Sequence, residues 1–212
     1  MGILKVIQRT NFYLKKKLKK CIFNGFYKMC LHKTCNKFNK NGNIKGVGAL
    51  LFLPQYCCNG IDITNAVLLG RERFGNYAGK YNLCGGKMDA SDNGCVISAI
   101  IREIYEEFKI DMSGNNPGYF DSIFRGDNGF IRCFFMGNTL MFVGFLPSGF
   151  SRRYIKPQMI RDCKNHPDSS FREMDDVEYF DSNTQRQIEN RNCTVSSYAS
   201  SAIQKAQKYG FI

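Results

Sequence analysis

GGKMDASDNGCVISAIIREIYEEFKI, residues 85–110, opens on two glycines and a lysine and closes on an arginine and three glutamates set among Ile, Tyr and Phe. Ile97, Ile100, Ile101, Ile104 and Phe108 recur at helical spacing, which predicts a helix over 94–108 with one apolar side. Ser91, Asp92 and Asn93 offer N-cap residues ahead of it. Glu103, Glu106 and Glu107 stand at i, i+3 and i+4 and so share one helix face within a turn. Alone they repel one another, and Arg102, the one neighbouring base in the helix, cannot neutralise three acids. An acidic cluster on a helix is most often a solvated surface. Two features weigh against that here. The rest of the helix is apolar or neutral, and a glycine turn precedes it, where an open carbonyl adds an oxygen donor. Hard divalent cations take carboxylate, carbonyl and water oxygens and usually sit with substrate phosphates, so a metal at this face accounts for the charge density.

Upstream of this stretch, 46–55 and 63–72 carry β-type apolar runs around a turn at Asn59-Gly60, and 79–83 reads as a short strand entering Gly85-Gly86. Downstream, strands are predicted at about 118–125, 129–136 and 139–146, with Gly137-Asn138-Thr139 as a hairpin turn between the last two. Residues 148–171 are polar and irregular and read as a loop, 173–181 as a short strand, and 194–208 as a closing helix on Val195, Ala199, Ile203 and Ala206. Strands and helices interleave without a regular βαβ repeat, so the expected architecture is an α/β sandwich with a mixed sheet.

Charge divides the 212-residue chain. Of its 30 Lys and Arg, 12 lie in 1–45, where there is no acid at all; the remaining 18 face all 18 Asp and Glu. The net +12 therefore sits in residues 1–45, all but Lys45 of it in an N-terminal arm, residues 1–44, and the domain at 45–212 is close to neutral. Leu14, Leu18, Ile22 and Phe26 recur every four residues in the arm, predicting a basic amphipathic helix over about 10–28. Lys15, Lys16, Lys17, Lys19 and Lys20, with Phe12, Tyr13, Phe23, Phe26, Tyr27 and Phe38 interleaved, suit RNA; the same pattern suits an anionic membrane surface, a transit segment, or a helix that packs on the domain. Ten scattered cysteines with no secretory signal before them read as free thiols in a reducing, cytoplasmic setting. Cys21, Cys30, His32 and Cys35 have metal-binding side chains, but their spacing matches no standard zinc finger. No apolar run reaches the roughly 18 residues of a spanning helix.

Residues 86–110 resemble the Nudix box, the signature G-x5-E-x7-R-E-U-x-E-E-x-G-U of the Nudix hydrolases, in which U is aliphatic. Arg102-Glu103-Ile104-Tyr105-Glu106-Glu107-Phe108 matches the R-E-U-x-E-E-x core, Ile110 fills the final U, and Gly85, Gly86 and Lys87 form the common G-G-K start. The stretch 173–180, EMDDVEYF, resembles the family's later E-x3-V-x-[WY]-F segment. Three positions depart from the pattern. Asp92 stands for the upstream glutamate, the loop between it and Arg102 is two residues longer, and Lys109 replaces the late glycine.

This resemblance implies a Nudix-like α/β/α sandwich and Mg²⁺- or Mn²⁺-dependent hydrolysis of the pyrophosphate in a nucleoside diphosphate linked to another group. It implies metal ligation by Glu103 and Glu107, with Glu106 as third ligand or base and the Gly86 carbonyl as a further donor. Arg102 would hold Glu103 or Asp92 in place. The general base would come from a later loop: Glu173 first, then Glu178, with Asp175 and Asp176 as alternatives. Lys87 would meet substrate together with the arm lysines. None of the family's substrate-subgroup signatures is secured: Arg125 and Gly126 occupy the zone where ADP-ribose members carry a proline and dinucleoside polyphosphate members a tyrosine. An mRNA-decapping enzyme that holds RNA on the arm and a catalytically weak nucleotide-binding module are the alternatives to a small-nucleotide pyrophosphatase.

Overall fold

The computed structural model describes residues 44–58, 61–112, 119–186, 188 and 193–212. The arm's expected helix, its lysines and the Cys21, Cys30, His32 and Cys35 set lie outside the described residues.

β1 (Gly46–Cys58) and β2 (Ile61–Glu72) form a long antiparallel hairpin. Both of their faces are apolar. Val47, Ala49, Leu51 and Leu53 pack with Ala66 and Leu68 in one core, while Leu50 and Phe52 pack with Val67 and Leu69 in the other. A sheet apolar on both faces needs a covering layer on each. The first core is closed by α1 (Val96–Phe108), α2 (Tyr119–Phe124) and α3 (Lys156–Asn165), through Ile100, Ile104, Phe108, Phe120, Phe124 and Met159. The second is closed by α4 (Ser197–Lys208), through Ala199, Ala202, Ile203 and Ala206. The result is an α/β/α sandwich, with a seven-stranded mixed sheet between helices.

β1 is central. It pairs antiparallel with β2 and with β4 (Cys84–Lys87), and parallel with β6 (Thr139–Phe145). β6 pairs antiparallel with β5 (Cys133–Met136) across Gly137-Asn138, with Gly137 at φ 57°. β7 (Met174–Asp181) lines the other side of β2. β1 gives Leu51–Cys58 to β2 but Gly46–Ala49 to β4, and β2 gives Gly70 and Arg71 to β3 (Tyr81–Asn82). The run through β3 and β4 thus fills the gap where β1 and β2 part. The glycine pair lies in that run. It is strand, not the turn expected, and Gly85 is required there: at φ 149° a Cβ would run into the Val47 carbonyl, with Gly48 Cα at 2.5 Å.

The sequence reading is corrected at three further places. Residues 119–124 are helix α2 rather than strand, and Phe120 and Phe124, four apart, both turn inward. The expected loop at 148–171 contains α3, begun by Pro157 in its first turn and anchored by Met159 and Cys163. Finally, Ser91-Asp92-Asn93 do not cap α1, whose N-cap is Cys95. They belong to a 3₁₀ turn, Ala90–Asp92, capped by Asp89. This turn, with Asn93 at φ 51° and Gly94 at φ 71°, takes up the two extra residues ahead of the helix. The described cysteines Cys57, Cys84, Cys95, Cys133, Cys163 and Cys193 are free thiols. No helix among the described residues is long and apolar enough to cross a membrane.

Candidate active site

α1 presses its apolar side onto the sheet, which turns the next strip of its surface, carrying Glu103 and Glu107, toward β4. Both carboxylates are buried, 6% and 5% exposed. The Gly85 amide donates to Glu107 Oε2 at 2.7 Å. Glu103 occupies the space a side chain at Gly86 would need, since a Cβ there would stand 2.5 Å from Glu103 Oε1. Glycine is therefore required at 85 by backbone approach and at 86 by the glutamate.

Arg102 gathers the acids from the other side. Its Nε and Nη2 donate to the two oxygens of Asp92 at 3.0 and 2.9 Å. Its Nη1 reaches Glu103 at 2.9 Å and Glu106 at 3.1 Å, and Nη2 also reaches the Lys87 carbonyl at 3.2 Å. Asp92, 3% exposed, also accepts the Asp89 amide at 2.7 Å, so its buried charge is met from two sides. The hydrogen bonds to Asp92 hold the Arg102 guanidinium more firmly protonated than usual. The Lys87 side chain is exposed at the end of β4.

Burial opposes the charge on all four nearby glutamates. It pushes Glu103 up to about 7, with Arg102 pulling down and Glu106 adding to the rise. It raises Glu107 well above the usual carboxylate range, and the Glu103 charge adds to this. Glu106 and Glu173 are also raised, first by burial. Glu173 stands between the 3₁₀ turn Ser169–Arg172 and β7, and its neighbours in charge are Glu106, Glu72, Arg102 and Asp168. Among the described residues its side chain has no hydrogen bond or ion pair. The other base candidates are engaged elsewhere. Asp175 pairs with Arg71 at 2.8 Å. Lys156 bridges Asp176 at 2.7 Å and Glu178 at 2.6 Å, and Tyr81 donates to Asp176 at 2.6 Å.

One member of this acid group was not legible in the sequence. Glu72, at a β-bulge beside Arg71, faces Glu107 and Glu173 electrostatically while its carboxylate accepts a hydrogen bond from Asn82. Between Arg71 and Arg73 at the end of a strand, it carries no signal of its own.

Among the described residues no three His, Cys, Asp or Glu side chains are already gathered as a ready-made metal cluster. The donor chemistry nevertheless fits a hard divalent cation. Two buried carboxylates lie on one helix turn, each held through one oxygen, and the missing Cβ of Gly86 makes room for the Glu103 carboxylate against the strand. Without a cation, that pair can ionise only against its own repulsion.

No protein-family model matches the chain, and no curated protein matches it significantly. It is similar to solved structures. NrtR of Shewanella oneidensis is 16% identical over 77% of this chain, with a TM-score of 0.42, and the chain spans 61% of that protein. The Nudix domain of the same protein, complexed with ADP ribose, is 13% identical over 78% of this chain and 86% of its own, with a TM-score of 0.40. The MutT Nudix hydrolase of Burkholderia pseudomallei is 15% identical over 74% of this chain and 95% of its own, with a TM-score of 0.37. At these identities and TM-scores the likeness carries no residue role or activity to this chain.

Proposed function

We propose that this chain is a divalent-metal-dependent hydrolase of the Nudix type, cleaving the pyrophosphate of a nucleoside diphosphate linked to another group. The observation that carries the reading is the buried Glu103–Glu107 pair, set against the glycine strand and braced from outside by Arg102. A chain does not bury two like charges one turn apart for stability alone, because each burial is unfavourable and each charge opposes the other.

Glu103 and Glu107 would hold Mg²⁺ or Mn²⁺, with Glu106 and the Gly86 carbonyl completing the oxygen donors. The bound ion would neutralise the pyrophosphate oxygens and acidify the attacking water. Arg102 stays off the substrate and orients Glu103 and Glu106. Glu173 is the candidate base that takes the water's proton, and its burial raises its proton affinity in the direction that role needs. Lys87, exposed at the end of the glycine strand, would meet substrate phosphate.

A second reading, mRNA decapping, is favoured by one sequence feature: a 45-residue stretch with 12 Lys and Arg, no acid and interleaved aromatics. The deciding experiment is a panel of ADP-ribose, coenzyme A, dinucleoside polyphosphates and capped RNA with Mg²⁺ and Mn²⁺, run beside Glu107→Gln and an EDTA control. Divalent-dependent release of a nucleoside monophosphate or diphosphate, lost in the variant, is the expected result. Absence of turnover on every member of the panel would overturn the proposal.

A further inference from the structure

α1 does not end on glycine. Its last residue is Phe108, and Lys109 follows at φ 58°, ψ 24°, with its amide donating to the Tyr105 carbonyl. That left-handed conformation is free for glycine and unfavourable for lysine. The side chain is also buried, 1% exposed. A buried ammonium is costly unless its donors are met, and here they are. Nζ donates to the Glu106 carbonyl at 2.5 Å and the Phe171 carbonyl at 3.2 Å. Asp162 Oδ2 lies 3.4 Å away, and the Phe171 ring centroid 4.4 Å.

Those partners sit on three separate elements. Glu106 is on α1, Asp162 on α3, and Phe171 in the Ser169–Arg172 turn that leads directly to Glu173. Phe171 is held further by the Tyr105 ring edge at 5.7 Å and by His166, stacked at 4.1 Å. From the far side, the Glu173 carbonyl accepts the Arg73 amide at 2.9 Å, and the Arg73 guanidinium donates to the Cys163 and Arg172 carbonyls. The backbone that delivers Glu173 is thus fastened at both ends, and one fastening runs through a single buried ammonium to the helix that carries Glu103 and Glu107.

Resting on the hydrolase reading above, we infer that Lys109 is a positioning residue for Glu173: its ammonium clasps the 169–172 turn to the end of α1 and so sets the reach of the Glu173 carboxylate over the Glu103–Glu107 pair. The departure from glycine at this position is then a functional exchange, in which the unfavourable backbone geometry is offset by a clasp that glycine cannot make.

The test uses Lys109→Met, which removes the ammonium, and Lys109→Gly, which removes it and relieves the backbone. Amide hydrogen exchange on the metal-free full chain is the first readout. In both variants the amides of 170–174 are expected to exchange about tenfold faster, while those of central β1 are unchanged. Turnover is the second. In both variants kcat is expected to fall about tenfold with KM nearly constant, and in a Glu173→Gln background either change should cost no further kcat. A merely structural lysine predicts otherwise: Lys109→Gly restores wild-type kcat, or the losses from Lys109→Met and Glu173→Gln multiply. Either result overturns the inference, as does unchanged exchange at 170–174. Should the wild-type chain turn over nothing in the panel, the hydrolase reading falls and the clasp is judged on the exchange result alone.

Discussion

The Glu103 carboxylate fills the space above Gly86 where any other residue would place its Cβ, 2.5 Å from Oε1. The leading glycine of the motif and the first glutamate of its helix are 17 positions apart in sequence yet define one another in space.

From that contact we expect Gly86→Ala to displace Glu103 and lower hydrolysis by about a hundredfold, the usual result of an ångström-scale misplacement of a catalytic group. Overpacking should also cost about 1–3 kcal/mol. Gly149→Ala is the matched control, since a Cβ there meets nothing within 4 Å; it should leave both rate and melting temperature unchanged. Equal activity in the two variants would mean that Glu103 is free to sit elsewhere.

Glu107→Gln should abolish divalent-dependent hydrolysis, a loss of roughly a thousandfold, while its melting temperature stays at or above that of wild type. The amide oxygen can still accept the Gly85 N–H, and a carboxyl that burial and Glu103 hold well above its usual range loses only an unfavourable charge. Circular dichroism and a melting curve test the second half. A variant that unfolds would show that the carboxylate holds the fold, and one that keeps full activity would remove the metal face.

The helix, its acidic face and most of the sheet were legible because their signals are local. Ile97, Ile100, Ile104 and Phe108 repeat with the helical period, and Gly137-Asn138 separates two runs of β-formers. α2 was not legible because its six residues are too few for a period to develop, and Tyr119, Phe120 and Phe124 have strand propensity. α3 did carry a signal: Ile155, Met159 and Cys163 are spaced four apart with Pro157 just inside the start. Polar neighbours such as Arg161, Asp162 and Lys164 diluted it. The Arg102–Asp92 bond followed from the motif resemblance, whereas the roles of Glu72 and Lys109 arise from tertiary approach across many residues, which local pattern does not encode.

Stability of the metal-free protein should fall as pH rises from about 4.5 to about 7. Glu103 is raised from 4.5 to about 7, and Glu107 is also raised well above the usual carboxylate range, first by burial. A carboxyl with a raised folded-state pKa binds its proton more tightly folded than unfolded, so its contribution is fully present below the unfolded value and is lost through the folded one. For Glu103 alone the loss is roughly 3 kcal/mol at most. Mg²⁺ or Mn²⁺ added at pH 8 should recover the melting temperature, because the cation replaces the protons. A flat melting temperature over this range, or one indifferent to the ions, would count against a buried, cation-seeking pair. Activity should rise over the same range, since the ligands and the base must be deprotonated.

Arg102→Met should destabilise by about 2–4 kcal/mol. It strands the buried Asp92 carboxylate and removes the brace on Glu103 and Glu106; the guanidinium is itself 25% exposed, which keeps the loss below that of a fully buried pair. Adding Asp92→Asn should recover part of the stability but little of the activity, because Glu103 and Glu106 remain unbraced. Urea denaturation of the single and double variants measures the first effect, and steady-state rates the second. Full recovery of activity in the double variant would mean that Arg102 serves Asp92 alone.

Deleting residues 1–43 separates the two substrate readings. If RNA is the partner, the arm's lysines neutralise phosphates and release counterions, so its contribution should fall steeply with salt. The truncated chain should then bind capped RNA more weakly at low salt, with a shallower dependence on ionic strength, yet hydrolyse small dinucleotides at nearly the full rate. The latter is expected because Glu103, Glu107, Glu173 and Lys87 all lie in the domain beyond the arm. Filter binding across a salt series, beside turnover of a dinucleoside polyphosphate, gives both answers from one pair of proteins. Equal RNA affinity with and without the arm at low salt would remove the main support for decapping and leave a small nucleotide as the substrate. Loss of small-substrate turnover together with RNA binding would instead mean that the arm packs on the domain and helps to build the site.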